Sequence, residues 1–502
     1  MGVAPATFND LFARDYGSAR IGVFGCGCWF YWQQFPGLRE RLIQHQSYFE
    51  ERLRAAGMDI ISGGLVDHPD AAVQAGDMYR RSQVDFLVCF MSTYALSSAV
   101  LPVVQRAGAP LLIVSLQPTA AMDYEHGTTF MQLEHDNQTS LPEVCCALRR
   151  ANIEIAGMVV GTLYDDEVAW QRILDWCKVA RAIAAVRNAR IGVMGHVYEG
   201  MLDMNSDPTM FDAHFGMHCE HIELDDLAAC VEEVTDAEVT RKLDEIHALF
   251  DFPEPGSDPI AGPALPEDVA WSARTACGLD RLFRQFGLTG LAYYYRGHGG
   301  NANERLGASL WVGASLLTGQ GYPVAGELDI KNCVAMLIVD RLEAGGSFAE
   351  LHPCDFEHDI VLVGHDGPHH VGVAQGRPVL RGLSLLHGKR GAGIGVEFQI
   401  RNGPITCVGL TQTYGGRFKF VAAEGESLPG PIPPTGNTNT RCRFPPDLRS
   451  FIANWSLEGP THHFALGVGH IAPMVEDFAR CWGIECVNVT APGYKRSHYA
   501  RP

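Results

Sequence analysis

The sequence contains no Cys-x-x-Cys pair, no apolar run of 18 residues, and comparatively little positive charge. Its fifteen cysteines are an odd number without metal-ligand spacing, so they read as reduced, buried thiols rather than a disulfide framework or a zinc cluster. Cys26-Gly-Cys28 and Cys145-Cys146 lie close together, but neither has a histidine or third cysteine beside it. Thirty-nine Lys and Arg stand against 58 Asp and Glu, a formal net charge of −19, which argues against nucleic-acid backbones and anionic membranes as partners. Without a long apolar segment there is no candidate membrane span, and no basic stretch followed by an apolar one opens the chain. The expected location is cytoplasmic.

What is present is ample core material. Hydrophobic residues make up 46% of 502, including 24 Phe, 15 Tyr and 8 Trp, enough for two to four domains. Apolar runs, Ile21–Gly25, Met58–Ile61 with Asp59 inside it, Phe86–Phe90 and Pro110–Val114, alternate with amphipathic segments such as 38–53 and Asp70–Arg81. That texture predicts a parallel sheet covered on both faces, whose ligands bind at the carboxyl ends of the strands. A second strand-first unit opens at Ala189–Gly195, with helices expected at Leu224–Cys230, Asp236–Phe250 and Asp268–Phe286. Beyond Glu350 short segments alternate with turn residues, among them Val371-Gly-Val, Val396–Ile400, Ile405–Leu410 and Arg417–Val421, predicting an antiparallel sheet or barrel. Glu424–Pro446, rich in proline, reads as one long loop. The predicted class is α/β: two tandem doubly wound parallel-sheet domains, 1–187 and 188–328, followed by a mostly antiparallel, barrel-like domain, 329–502.

Gly25-Cys-Gly27 is a poor dinucleotide fingerprint, because bulky Phe30 and Tyr31 replace the third glycine and no acidic residue ends the second strand where ribose would need it. Arg296-Gly-His298-Gly-Gly-Asn301 lacks a P-loop lysine and serine and reads as a structural or sugar-facing turn. The chemistry concentrates between Tyr322 and His370. Glu327 is expected at a helix entrance, Glu350 in a loop after Gly345-Gly346, and His365 at the end of the strand-like run Ile360–Val363. Carboxylates with an imidazole suit Mn²⁺, Mg²⁺ or Co²⁺. His369-His370 is a rival pair that residue chemistry alone does not separate from His365 and His463.

Four separated motifs, Pro-Val-Ala-Gly-Glu327-Leu-Asp, Gly-Gly-Ser-Phe-Ala-Glu350, Ile-Val-Leu-Val-Gly-His365 and Pro-Thr-His462-His463, resemble in order and residue type those of the L-arabinose isomerase family. In that family the matching positions are a glutamate within Gly-Glu-Gly-Asp, a glutamate within Ser-Phe-Met-Glu, a histidine after Leu-Val-Leu-Gly-Ser, and the second histidine of a pair. They hold a divalent metal, usually Mn²⁺. The resemblance therefore implies Glu327, Glu350, His365 and His463 as metal ligands, with Glu327 and Glu350 also the catalytic pair. It further implies that the aromatic loop Cys28–Gln33 and Met91-Ser-Thr-Tyr94 help wall a sugar pocket, often a neighbouring subunit's, and that the chain forms a homo-oligomer, as a trimer, tetramer or hexamer. Tyr94, Gln138 and His462 are the expected substrate contacts. Asn137-Gln138-Thr139 matches the family's Asn-Gln-Thr-Ala-His, but Leu141 occupies the place of its histidine.

The expected activity is metal-dependent aldose–ketose exchange of a free sugar through a cis-enediol. The loop His387-Gly-Lys389-Arg390-Gly, cationic in an acidic chain, would place His387 and Lys389 to steer an anionic substrate. That loop and the missing histidine keep open an epimerase, lyase or aldolase of a sugar acid on the same scaffold. A non-catalytic sugar-binding protein is the remaining reading.

Overall fold

Runs of β-branched and aliphatic residues fix the strands of the computed structural model, which describes residues 15–253, 262–296, 301–386, 389–433 and 438–496. Residues 17–184 form one compact unit, and the described residues from 185 onward, with Asp15 and Tyr16, form the other.

In the first unit β1 (Arg20–Cys26), β2 (Asp59–Val66), β3 (Phe86–Met91), β4 (Leu111–Gln117) and β5 (Gly157–Thr162) make an all-parallel sheet in the order β2-β1-β3-β4-β5. β3 is buried at all six positions, as expected of a strand covered on both faces. Each fully buried aliphatic side chain there contributes about 1.5–3 kcal/mol. The expected strands and helices all form; β5 was not anticipated, because Gly157 and Gly161 dilute its apolar pattern. Gly25 and Gly27 have packing reasons: a Cβ on Gly25 would lie 2.7 Å from Ser92 Oγ, and one on Gly27 would lie 3.0 Å from the Trp32 indole. Leu141 begins the helix Leu141–Arg150 and packs against the apolar core of this unit.

The second unit holds two sheets. β6 (Arg190–Gly195), β7 (His218–Ile222), β8 (Gly290–Tyr294) and β9 (Val324–Ala325) are parallel in the order β7-β6-β8-β9. Six strands close into an antiparallel barrel: β10 (Gly345–Asp355), β11 (Ile360–His365), β14 (Gly403–Gln412), β15 (Phe418–Leu428), β16 (Thr438–Arg443) and β17 (Phe464–Val468). β14 pairs with both β17 and β15, and this closes the ring. β18 (Glu485–Asn488) adds to β15 in parallel, while β12 (Val379–Leu386) and β13 (Lys389–Glu397) form a separate hairpin. Ile405, Cys407, Val421, Ala423, Phe464 and Leu466 belong to one buried cluster with the Leu448–Leu457 helix residues Phe451 and Trp455.

Two expectations for this region are corrected. Glu424–Pro446 is not one loop: β15 runs to Leu428, and β16 uses Thr438–Arg443 to join β11 to β15. The alternating polar residues of Thr-Asn-Thr-Arg-Cys-Arg hide that strand, whose stability comes from pairing on both edges. Val371–Val373 is a short 3-10 turn, not a strand.

Candidate metal centre

Strand register brings the expected residues together. Glu350 lies inside β10, not in a loop, because Gly345 and Gly346 turn the chain out of the helix Ile330–Arg341 at φ +88° and +105° and start the strand at once. Only glycine fits there: a Cβ on Gly346 would lie 2.7 Å from the Met336 carbonyl oxygen. β10 pairs with β11 through Glu350 opposite Gly364, and with β17 through Ala349 opposite Phe464. His365, one residue beyond Gly364, and His463, one residue before Phe464, therefore flank Glu350 from its two neighbouring strands. Phe348, on the same face of β10 two residues earlier, packs its ring 4.6 Å from His365 and 4.4 Å from His463.

Glu327 arrives from the other sheet. It follows β9 and sits two residues before Asp329, which caps the helix Ile330–Arg341 by accepting the Asn332 N–H. Glu327 and Leu328 adopt φ +56° and +61°, an uncommon pair for side-chain-bearing residues. Each such residue costs on the order of 1–3 kcal/mol and persists where the surroundings over-determine it. Here the Leu328 N–H donates to Tyr293 O, the Asp329 N–H to Gly326 O, and the Tyr198 N–H to Glu327 O.

Two overlapping sets result, Glu350–His365–His463 and Glu327–His462–His463, in each of which one donor atom per residue lies within 4.8 Å of the others. His365 Nε2 is 3.8 Å from Glu350 Oε1, and His463 Nε2 is 3.8 Å from Glu327 Oε2. His463 tests whether a cation fits. Its Nδ1–H donates to Asp329 Oδ2 at 3.2 Å, which leaves the Nε2 lone pair bare, buried and without a hydrogen-bond partner among the described residues. An orphaned imidazole nitrogen beside two carboxylates, backed by a third carboxylate on its far nitrogen, is the donor pattern of a histidine ready to bind a metal. The mixed oxygen and nitrogen donors suit a divalent cation such as Mn²⁺, Co²⁺ or Mg²⁺.

The electrostatics follow from burial and neighbours. Burial pushes His463 down to about 4 and so keeps it neutral. Burial alone would raise Asp329, but the Lys331 ammonium at 4.0 Å and the His463 hydrogen bond hold it below the ordinary carboxylate value. Glu350 is likewise lowered against its burial, by the His352 hydrogen bond and by His365 and His463. His352 Nε2 lies 3.2 Å from Glu350 Oε1, and this contact helps raise His352 against its own burial.

His352 and Asp329 were not singled out from the sequence. The signal for His352 was its place two residues after Glu350, the same-face spacing of a strand. His369 and His370 stand apart from both donor sets. His370 Nε2 faces Asp340 Oδ1 at 3.3 Å, and His369 is wholly buried with its backbone N–H donating to Ser315 Oγ. His462 is in the second set, and its Nδ1 lies 2.7 Å from Asp203 Oδ2. Tyr94 and Gln138 belong to the first unit, where the Tyr94 hydroxyl approaches Glu143 at 3.5 Å and the Gln138 carbonyl accepts from the Leu141 N–H. His387, the side chain of Lys389 and residues 297–300 lie outside the described residues.

A closed antiparallel barrel carrying a carboxylate–imidazole cluster, joined to parallel α/β sheets, defines the class. Residues 345–485 match the model of the L-arabinose isomerase C-terminal domain. The chain is 27% identical over 425 residues to the L-arabinose isomerase of Nocardioides sp., covering 81% of this chain and 80% of that protein. It is 24% identical to L-arabinose isomerase 1 of Bacillus licheniformis over 80% of each chain, and 23% identical to the L-arabinose isomerase of Aeromonas salmonicida over 82% of each. The chain is thus similar over most of its length to L-arabinose isomerases, as a divergent relative, and carries their C-terminal domain at residues 345–485.

Proposed function

We propose that the protein is a divalent-metal-dependent sugar isomerase that interconverts an aldose and a ketose through a cis-enediol. The observation that carries the reading is the pair of donor sets that meet at His463, Glu350 and His365 in one and Glu327 and His462 in the other, with the His463 Nε2 lone pair left bare. The names of the relatives support the same class of reaction.

Glu327, Glu350, His365 and His463 would hold the cation, with Mn²⁺ the expected ion. When bound, it supplies a Lewis acid that steadies negative charge on adjacent sugar oxygens. Glu327 and Glu350 each have an oxygen within 4.8 Å of a donor nitrogen of His463, so a sugar seated there has both carboxylates near it. One carboxylate oxygen takes the proton from C2, and C1 receives a proton in return, while O2 loses its proton and O1 gains one. Asp329 keeps His463 in one tautomer and orientation, and Phe348 packs against both the His365 and His463 rings.

The test is Glu327→Gln and Glu350→Gln, assayed against a panel of aldoses, ketoses and sugar acids with added Mn²⁺. Each variant is expected to stay folded and lose at least ~10³-fold in kcat. Near-normal turnover by either sinks the mechanism. Product analysis in D₂O separates isomerisation, which exchanges hydrogen at C1 or C2, from carbon–carbon cleavage of a sugar acid.

A further inference from the structure

We propose that Asp203 is a positioning residue for this reaction: it fixes the His462 imidazole so that Nε2 faces a sugar hydroxyl held beside Glu327. The inference rests on the isomerase reading above.

His462 lies outside the ligand set that the resemblance implies, yet one of its ring nitrogens is within 4.8 Å of donor atoms of Glu327 and His463, and its ring centroid is 3.9 Å from that of His463. Its side chain is one-third exposed, unlike that of buried His463. Asp203 Oδ2 accepts from both the His462 backbone N–H, at 3.0 Å, and Nδ1–H, at 2.7 Å. One carboxylate oxygen thus holds the chain and the ring together and assigns the proton to Nδ1. Nε2 is the nitrogen left for a ligand.

Asp203 comes from the short turn Leu202–Met204, 259 residues away in the chain, and that turn is anchored from inside. The wholly buried Lys331 Nζ donates to Met204 O at 2.9 Å, Asn205 O at 3.2 Å and Ser206 Oγ at 2.9 Å. Lys331 stands two residues after Asp329, the carboxylate behind His463 Nδ1. A single buried ammonium therefore spaces the two carboxylates that back two adjacent imidazoles. An exposed Asp–His pair needs no such anchor, and burying an ammonium costs far more than a surface ion pair returns.

The experiment combines a double-mutant cycle with a tautomer measurement. Asp203→Asn should fold and bind Mn²⁺ as the parent does, while kcat falls 10- to 100-fold and KM changes less than about threefold. His462→Gln should lower kcat to a similar level, and the double variant should fall no further, because Asp203 acts only through His462. In histidine-¹⁵N-labelled parent protein, the resonances that vanish in His462→Gln should be those of an Nδ1-protonated ring, and in Asp203→Asn they should shift toward a mixture of tautomers. Activity of Asp203→Asn within twofold of the parent, losses that multiply in the double variant, or an Nε2-protonated His462 in the parent would each overturn the proposal. If Asp203→Asn does not fold, the parent's ¹⁵N spectrum decides. If the parent turns over no sugar, the isomerase reading fails while the spectrum still reports whether Asp203 fixes the ring.

Discussion

Asp329 is the residue whose removal should separate metal binding from folding. It is fully buried and also caps a helix, so Asp329→Asn keeps shape and cap acceptor while removing the charge that orients His463. Mn²⁺ affinity should fall 10- to 100-fold with an unchanged circular dichroism spectrum, measured by calorimetric titration. The histidines also set an acid limit on the metal-free protein. Burial pushes wholly buried His369 down to about 3, from an ordinary 6.5. The unfolded chain therefore takes up a proton below pH 6.5 that the folded chain refuses, and stability is lost as pH falls toward 4, by up to about 1.4 kcal/mol per pH unit for this group. His463 acts in the same sense, whereas His352 and His462, both raised in the folded protein, add stability at low pH and lose it as pH rises. Urea denaturation of parent and His369→Gln at pH 7 and pH 5 isolates the His369 share: the variant should lose less stability over that interval.

Among the elements, β11 is the most tightly constrained. Gly364 faces Thr438 of β16 so closely that a Cβ would collide with the Thr438 carbonyl oxygen, and it is also the partner of Glu350 across β10. Gly364→Ala should push β11 from β16, cost about 1–3 kcal/mol in denaturant unfolding, and displace His365 enough to lower Mn²⁺ affinity. The turn Gly326–Asp329 shows a different economy. The related family has glycine where this chain has Leu328, and Leu328 keeps a left-handed backbone, at φ +61°, with its side chain buried. The motif around Glu327 was legible because residue order survives such changes. The strand around Glu350 was misread because Gly345-Gly346 looks like a stop, and whether two glycines end a segment or begin a strand depends on the backbone packed against them. β16 was invisible for a related reason: its pairing on both edges, not its apolar pattern, makes it a strand.

At the scale of the whole molecule, the donor set lies within the 185–502 unit, so Mn²⁺ should stabilise that unit first. At a hundredfold excess over Kd the gain is about 2.7 kcal/mol, and hydrogen exchange should slow at 326–329, 348–352, 363–366 and 461–464. Uniform slowing, or none, would remove the cation from the account. Trp29 and Phe30 in the first unit are 53% and 36% exposed; the resemblance implies a homo-oligomer in which this loop meets another subunit, which would cover them. Light scattering is expected to return a trimer, tetramer or hexamer, and Trp29→Ala to weaken it. No helix among the described residues is long and apolar enough to cross a membrane.

The order of residues alone determined the alternation of apolar strands with helices, the change to short antiparallel segments after Glu350, and the four motifs that carry acidic and imidazole side chains. Those are properties of neighbours in the chain, governed by periodicity and local backbone preference. Barrel closure through β14 and β15, the flanking of Glu350 by His365 and His463, the exclusion of His369 and His370, and the hold of Asp203 on His462 were decided only in three dimensions. Each depends on strand register or on contacts between residues far apart in the chain, which the folded backbone sets and no local pattern records.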